Sequence, residues 1–422
     1  MQPIEQERPG RDYLTIAQII ISGLGLILAL LGAGLLLVAG LAALFSEALD
    51  LTAAASLFSM AWVSGLLAVL TLPSVVYSFR RIKGERTLPP QPGRLRLASL
   101  LLLVWPLVLV IGDQIVFQSS LVWLFLPPLH LLAVGLPVWW LVELARHKLT
   151  AGSRQREWGV LNVSLLVTMP AVVAAEITVF SSLLFLFAVW LNGRPEMVTQ
   201  LKILIMRFLS LQPNPETIWQ LTWPFLQNPL VFFSILAILA GMIPLLEELL
   251  KPLALWALAG RRLTPPEGFA AGALCGGAFA LLESLLSLAG PLQDGWAFLA
   301  IGRAGTALLH ITTTALVGWA LANAWETGSY IRLGLTYLLS AGLHGLWNAL
   351  SVLSGLGAQV ENPPESMRFL IGLSQSAPAG IIVLGLALFF LLWGGNRMMR
   401  APHPQTTPAS DGLDNHDMIQ SN

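Results

Sequence analysis

Ten apolar runs, each long enough to cross a bilayer, alternate with short polar connections along the 422-residue chain. Their approximate limits are 14–45, 53–79, 97–117, 119–145, 158–192, 229–260, 268–289, 297–321, 333–357 and 369–395. This pattern predicts an all-α, polytopic membrane bundle of about ten transmembrane helices. Pro127 and Pro128 inside the fourth run predict a kink there. The segment 193–228 divides the chain. Residues 1–192 read as a five-helix membrane region of unassigned role and 193–228 as an extracytoplasmic loop. Four spans follow in 229–357, then a final plain span in 358–400. The 401–422 tail, rich in Pro, Thr, Ser and Asp, reads as disordered. Within the loop, Met197–Leu209 reads either as an amphipathic helix at the outer surface or as an ordinary loop helix.

Composition agrees with that class: 55% of residues are hydrophobic, 11% are charged, and the mean hydropathy is +0.73. Lys plus Arg equal Asp plus Glu at 23 each, so nothing points to a nucleic-acid partner. The single cysteine, Cys275, excludes a disulfide framework within one chain. The first apolar run is too long for a signal-peptide core and reads as a span. Basic residues set the orientation. Arg80, Arg81, Lys83, Arg86, Arg94 and Arg96 follow the second span, Arg146, Lys148, Arg154 and Arg156 the fourth, and Arg261 and Arg262 the sixth. The connections between them near 46–52, 117–119 and 290–296 contain no Lys or Arg, so both termini are expected on the cytoplasmic side.

Against this background the polar groups of 229–357 stand out. Glu247, Glu248, Lys251, Glu283, Arg303, His310, His344 and Asn348 all interrupt apolar runs. A charged side chain at a helix centre costs about 3 kcal/mol on an insertion scale, so the three glutamates, the lysine and the arginine would cost about 15 kcal/mol if unpaired and facing lipid. They must therefore face one another or water. Glu247 and Lys251 are four apart and share a helix face, which would leave Glu248 directed elsewhere. Pro252 predicts a break just beyond them. Gly272, Gly276 and Gly277 make a small-residue face that lets another helix approach. Glu283 lies deep in its span with no basic residue in that helix. It is expected to be protonated, metal-bound or paired across helices. Arg303 and His310, two turns apart, share a face with Thr306 and Thr313, and His344 and Asn348 share another. Glutamate and histidine can activate a water, and histidine and an amide can donate to an oxyanion, which together are the needs of peptide-bond hydrolysis. The same buried groups could instead serve a proton-coupled transporter or channel, although no matching broken helices appear in the first half. A non-catalytic scaffold is the third alternative.

The pieces EELLK (Glu247 to Lys251), FALLE (Phe279 to Glu283), the Arg303…His310 face and HGLWN (His344 to Asn348) resemble the PrsW-type intramembrane proteases. That family is related to the CAAX prenyl protease and bacteriocin-processing superfamily. The resemblance covers about 230–357. The CAAX protease branch ends its second motif in histidine, where this chain has Glu283, which argues against prenylated substrates. The resemblance implies a membrane-embedded protease in a prokaryotic plasma membrane. Its partners would be the lipid bilayer and a membrane-protein substrate cut in or near its span, such as an anti-sigma factor. Among the candidate catalytic residues Glu247, Glu248, Glu283, His310, His344 and Asn348, we expect Glu247 to activate water with Glu248 in support. Glu283 and His310 would position the water or bind a metal, and His344 and Asn348 would stabilise the oxyanion. Lys251 and Arg303 would balance charge. Glu283, His310 and His344 could hold Zn²⁺, and a metal-free glutamate mechanism uses the same side chains.

Overall fold

The computed structural model describes residues 13–46, 51–85, 88, 93–117, 120, 122–210, 222–223, 225–290, 295–359, 365 and 368–401. Arg86 and the tail from residue 402 onward fall outside them. Among the described residues there are helices and no strands. In chain order they are α1 (Tyr13–Leu44), α2 (Leu51–Ile82), α3 (Leu95–Leu102), α4 (Trp105–Phe117), α5 (Val122–Ala145), α6 (Arg154–Val163), α7 (Met169–Leu191) and α8 (Pro195–Ser210). These are followed by α9 (Pro229–Ala237), α10 (Ile243–Leu250), α11 (Leu253–Trp256), α12 (Pro265–Ser287), α13 (Trp296–Thr327), α14 (Tyr330–Gln359) and α15 (Arg368–Arg400). Two π-helical turns, Ser164–Thr168 and Ile238–Met242, join α6 to α7 and α9 to α10.

The all-α bundle expected from the apolar runs is what forms. Eight spans are long and apolar enough to cross a membrane, and α3 with α4, which meet at a 41° bend, bring the number to nine if counted as one. The tenth expected span is present as α14, 30 residues long. It is not among those nine because Ser340, His344, Asn348 and Ser351 interrupt its apolar run. The three prolines Pro127, Pro128 and Pro137 lie inside α5, which is helical throughout. The helix expected within the 193–228 segment forms as α8.

Two helices sit at the centre: 83% of the most apolar window of α12 and 67% of that of α13 are buried, against 11% for α1. Local chemistry fixes the ends of both. Thr264 caps α12 through the Glu267 N–H, the Glu267 carboxylate accepts from the Thr264 N–H at 3.0 Å, and Pro265 opens the first turn. Gly295 and Gly328 flank α13 in the left-handed region, at φ 83° and 75°, where a side chain would be strained. Gly268, Gly272 and Gly276, spaced by four, bring α12 onto the backbone of α13: a methyl at Gly272 or Gly276 would overlap the carbonyl of Thr314 or His310. Gly277 faces Val142 of α5 instead. α13 also packs against α14, α15 and α5.

The first two helices form an antiparallel pair tied to α6 by buried amides and hydroxyls. Gln18 donates to Ser74 at 3.0 Å, and Gln155 donates to Thr15 at 2.8 Å and to Gln18 at 3.1 Å. In an apolar medium such bonds hold helices that have no hydrophobic drive to associate.

Candidate active site

The acidic pair lies on an interrupted span. The π-helical turn Ile238–Met242 precedes α10, Pro244 opens that helix, and Pro252 ends it just after Lys251, as the sequence predicted. The result is an eight-residue helix carrying Glu247 and Glu248, bracketed by two breaks. A π-helical turn leaves backbone carbonyls without their usual intrahelical donors, and such turns recur at functional sites. α14 supplies a partner to the turn, at Leu239, and a further bond to α10, at Leu245. The Asn348 Nδ2 donates to the Leu239 carbonyl at 3.0 Å, and the Tyr337 hydroxyl to the Leu245 carbonyl at 2.8 Å. Gly345 lies so close to the Ala240 carbonyl that any side chain would collide with it.

The Lys251 ammonium is the hub of the cluster. It is fully buried and lies 3.0 Å from Glu247 Oε2, 2.8 Å from Glu248 Oε1 and 2.7 Å from His310 Nδ1. It also sits 4.6 Å from the centre of the Phe279 ring. The expected Glu247–Lys251 pair forms, but Glu248 is not directed elsewhere, because the ammonium at its third neighbour bridges both carboxylates. Glu248 Oε1 also pairs with His344 Nδ1 at 3.0 Å.

The deep Glu283 is paired across helices, one of the three states open for it. Its Oε2 lies 2.7 Å from Arg303 Nη2 and 2.7 Å from His310 Nε2, while Arg303 Nε donates to Ser284 Oγ at 3.1 Å. Arg303 and His310 thus do share a face of α13, aimed at one carboxylate. Four helices, α10, α12, α13 and α14, bring together Glu247, Glu248, Lys251, Glu283, Arg303, His310 and His344. Asn348 lies one turn from His344 and spends one N–H on the π-helical turn.

The tautomers follow from these contacts. Lys251 has only protons to offer, so His310 Nδ1 accepts from it and Nε2–H donates to Glu283. The 3.0 Å contact of His344 Nδ1 with the Glu248 carboxylate requires a proton on Nδ1, which leaves Nε2 as the free acceptor, 3.9 Å from Glu247 Oε2. Each histidine is therefore held by a carboxylate on one nitrogen, while the other faces Lys251 in His310 and Glu247 in His344. Glu247, His310 and His344, all buried, offer ligand atoms within 4.8 Å of one another. This is a two-histidine, one-glutamate set with carboxylate support behind each imidazole, a combination that suits zinc. The Lys251 ammonium stands among these donors and holds the lone pair of His310 Nδ1, so it would have to move aside for a metal ion to be held there. Glu247 takes the place in the set that the sequence reading gave to Glu283. The difference is physical, since Arg303 and His310 Nε2 draw the Glu283 carboxylate to the outer side of the ring.

Residues 199–390 match the model of the PrsW family intramembrane metalloproteases. Over that region the chain is similar to this family. It is accordingly a membrane-embedded peptidase, and all eight polar groups singled out above lie within the matched region. Helices α1 to α7 lie outside it. No curated protein and no solved structure matches the chain.

In the sequence, Glu176 stands out only as one of three exceptions, with Asp113 and His130, to a first half nearly free of buried charge. Glu176 is half-buried on α7, which packs against α10, the helix that carries Glu247. It is the only charged residue between Met169 and Leu191.

Proposed function

We propose that this PrsW-family peptidase cuts a single-span membrane protein in or beside its span, with Glu247 as the group that activates water. The observation that carries the reading is the convergence of Glu247, His310 and His344 on one buried point, with Lys251, Glu248 and Glu283 each bonded to a member of that set. Of the two adjacent glutamates, Glu247 is 7% exposed and Glu248 0%, so only the first has an approach for water. Glu247 takes the proton of the attacking water. Glu248 holds His344 through Nδ1, and Glu283 holds His310 through Nε2, so both imidazoles keep fixed orientations. Asn348, one helical turn from His344, donates to the oxygen of the tetrahedral intermediate through the N–H that the π-helical turn does not use. Lys251 and Arg303 balance the carboxylates in a medium where unpaired charge is expensive. A zinc ion held by Glu247, His310 and His344 would supply Lewis-acid polarisation of the water or the peptide carbonyl.

The substrate class rests on the membrane setting and on the family resemblance: a single-span regulatory protein, anti-sigma-factor-like, in a prokaryotic plasma membrane, with both termini of the peptidase cytoplasmic. Reconstitution tests the chemistry. Purified protein in liposomes with a set of single-span peptides should release fragments, and Glu247→Gln and His344→Ala should each abolish that release. Unchanged cleavage by both variants contradicts the assignment.

A further inference from the structure

We propose that the cavity between α2, α5, α6 and α12 binds one phospholipid of the phosphatidylethanolamine class, with an acyl chain along its apolar wall and the zwitterionic headgroup at Arg94 and Glu143. The cavity measures about 540 Å³, within the range of about 300–1,000 Å³ typical of small-molecule sites. Leu66 of α2, Leu132 and Val138 of α5, Leu161 of α6 and Leu281 of α12 line its apolar part. Leu132 is 43% exposed, so the cavity opens sideways toward lipid. Leu274, Ala278 and Leu281 lie on a face of α12 other than the one that carries Phe279 and Glu283, so the cavity is separate from the cluster of buried charges. The site does not depend on the peptidase reading.

The length and the charges of the cavity choose the occupant. Its lining runs along α5 from Leu131 to Glu143, which is about 18 Å of helix. The hydrocarbon of one leaflet is about 15 Å deep, half of a bilayer core. The cavity thus has the depth of one acyl chain in one leaflet. Its charged end belongs to the arginine-rich connections that follow α2 and α5, on the side expected to be cytoplasmic. Arg94, Glu143, Arg146 and Glu157 line that end. Glu157 is committed within the protein: it pairs with Arg146 Nη2 and accepts from the Ala151 N–H at 3.4 Å. Arg146 Nε is buried with no hydrogen-bond partner among the described residues, a state that asks for an acceptor. Glu143 Oε2 accepts from the backbone N–H of Arg94 at 2.7 Å, so the Arg94 guanidinium stays available at the exposed mouth beside the Glu143 charge. A phosphodiester accepts from Arg94 and from Arg146 Nε, and the headgroup ammonium donates to Glu143. An anionic headgroup without an ammonium would leave Glu143 facing negative charge, which decides for the zwitterion.

The test is native mass spectrometry of the full-length protein in mild detergent, titrated with phosphatidylethanolamine or with phosphatidylglycerol. Three variants are compared with the wild type. Gly135→Leu fills the cavity, since a Cβ at Gly135 meets nothing within 4 Å. Arg94→Gln removes the guanidinium, and Glu143→Gln removes the charge while its amide oxygen still accepts from Arg94. The wild type should hold one phosphatidylethanolamine per chain and prefer it to phosphatidylglycerol. Gly135→Leu should lose both lipids, and Arg94→Gln should weaken both by about 10-fold or more. Glu143→Gln should weaken phosphatidylethanolamine by about 10-fold and erase the preference. The two mouth variants decide even if Gly135→Leu does not fold. The proposal is overturned if the wild type prefers phosphatidylglycerol, if it holds a fatty acid or a peptide in place of a phospholipid, or if a folded Gly135→Leu binds as the wild type does. Unchanged affinities in both mouth variants overturn it equally.

Discussion

Replacing Lys251 with methionine keeps the length of the side chain and removes the ammonium that holds the active site together. In the native protein that ammonium has no exposure and lies 3.0 Å, 2.8 Å and 2.7 Å from Glu247, Glu248 and His310. Removing one partner of a buried ion pair typically costs about 3–5 kcal/mol, because the other is left charged and dry. Two carboxylates lose their counterion here, but the costs are unequal. Glu247 is 7% exposed and can recruit water, whereas Glu248 is fully buried with an Oε2 that no donor reaches. The expected loss is therefore close to that of one buried pair, about 3–5 kcal/mol, rather than twice that. Adding Glu248→Gln to Lys251→Met should recover about 2 kcal/mol or more, since it removes the stranded charge. Equilibrium unfolding in mixed micelles of the wild type, both single variants and the double variant gives the cycle. A Lys251→Met loss below about 1 kcal/mol, or a double variant no more stable than Lys251→Met, would refute the view that Lys251 neutralises this pair.

Three further outcomes follow from separate contacts. Gly276→Ala should destabilise the protein more than Gly277→Ala by thermal unfolding, because the added methyl at 276 meets the His310 backbone carbonyl whereas that at 277 meets only the Val142 side chain. Asn348→Leu should lower cleavage about 100- to 1,000-fold through the lost oxyanion donor, and should cost about 1–3 kcal/mol of stability by stranding the Leu239 carbonyl. If Glu247, His310 and His344 hold zinc, a chelator should stop cleavage by purified protein, and added Zn²⁺ should restore it and raise the unfolding temperature, because the three residues would bind the ion only when folded.

Much of this site was legible in the sequence because membrane insertion makes buried charge conspicuous. Glu247, Lys251, Glu283, Arg303, His310 and His344 each broke an apolar run, and helical spacing put Glu247 with Lys251 and Arg303 with His310. The glycine spacing likewise foretold the close approach of α12 to α13. Other features depended on relations between helices that spacing within one helix does not encode. That Glu248 shares Lys251 with Glu247 follows from the lysine's reach across both third and fourth neighbours. That Glu247, His310 and His344 offer atoms within 4.8 Å of one another, while Glu283 pairs with Arg303 and His310, is a relation between helices. The π-helical turn at Ile238–Met242 has no sequence signature, and its role emerges only when Gly345 and Asn348 are seen against it.

The central claim is that Glu247 activates water for proteolysis inside the membrane. Comparative proteomics of membranes from cells expressing the wild type or Glu247→Gln, at equal levels of folded protein, tests it most directly. The account predicts protein fragments ending in or near a membrane span in the wild-type cells only. Identical fragment profiles in the two strains would contradict it.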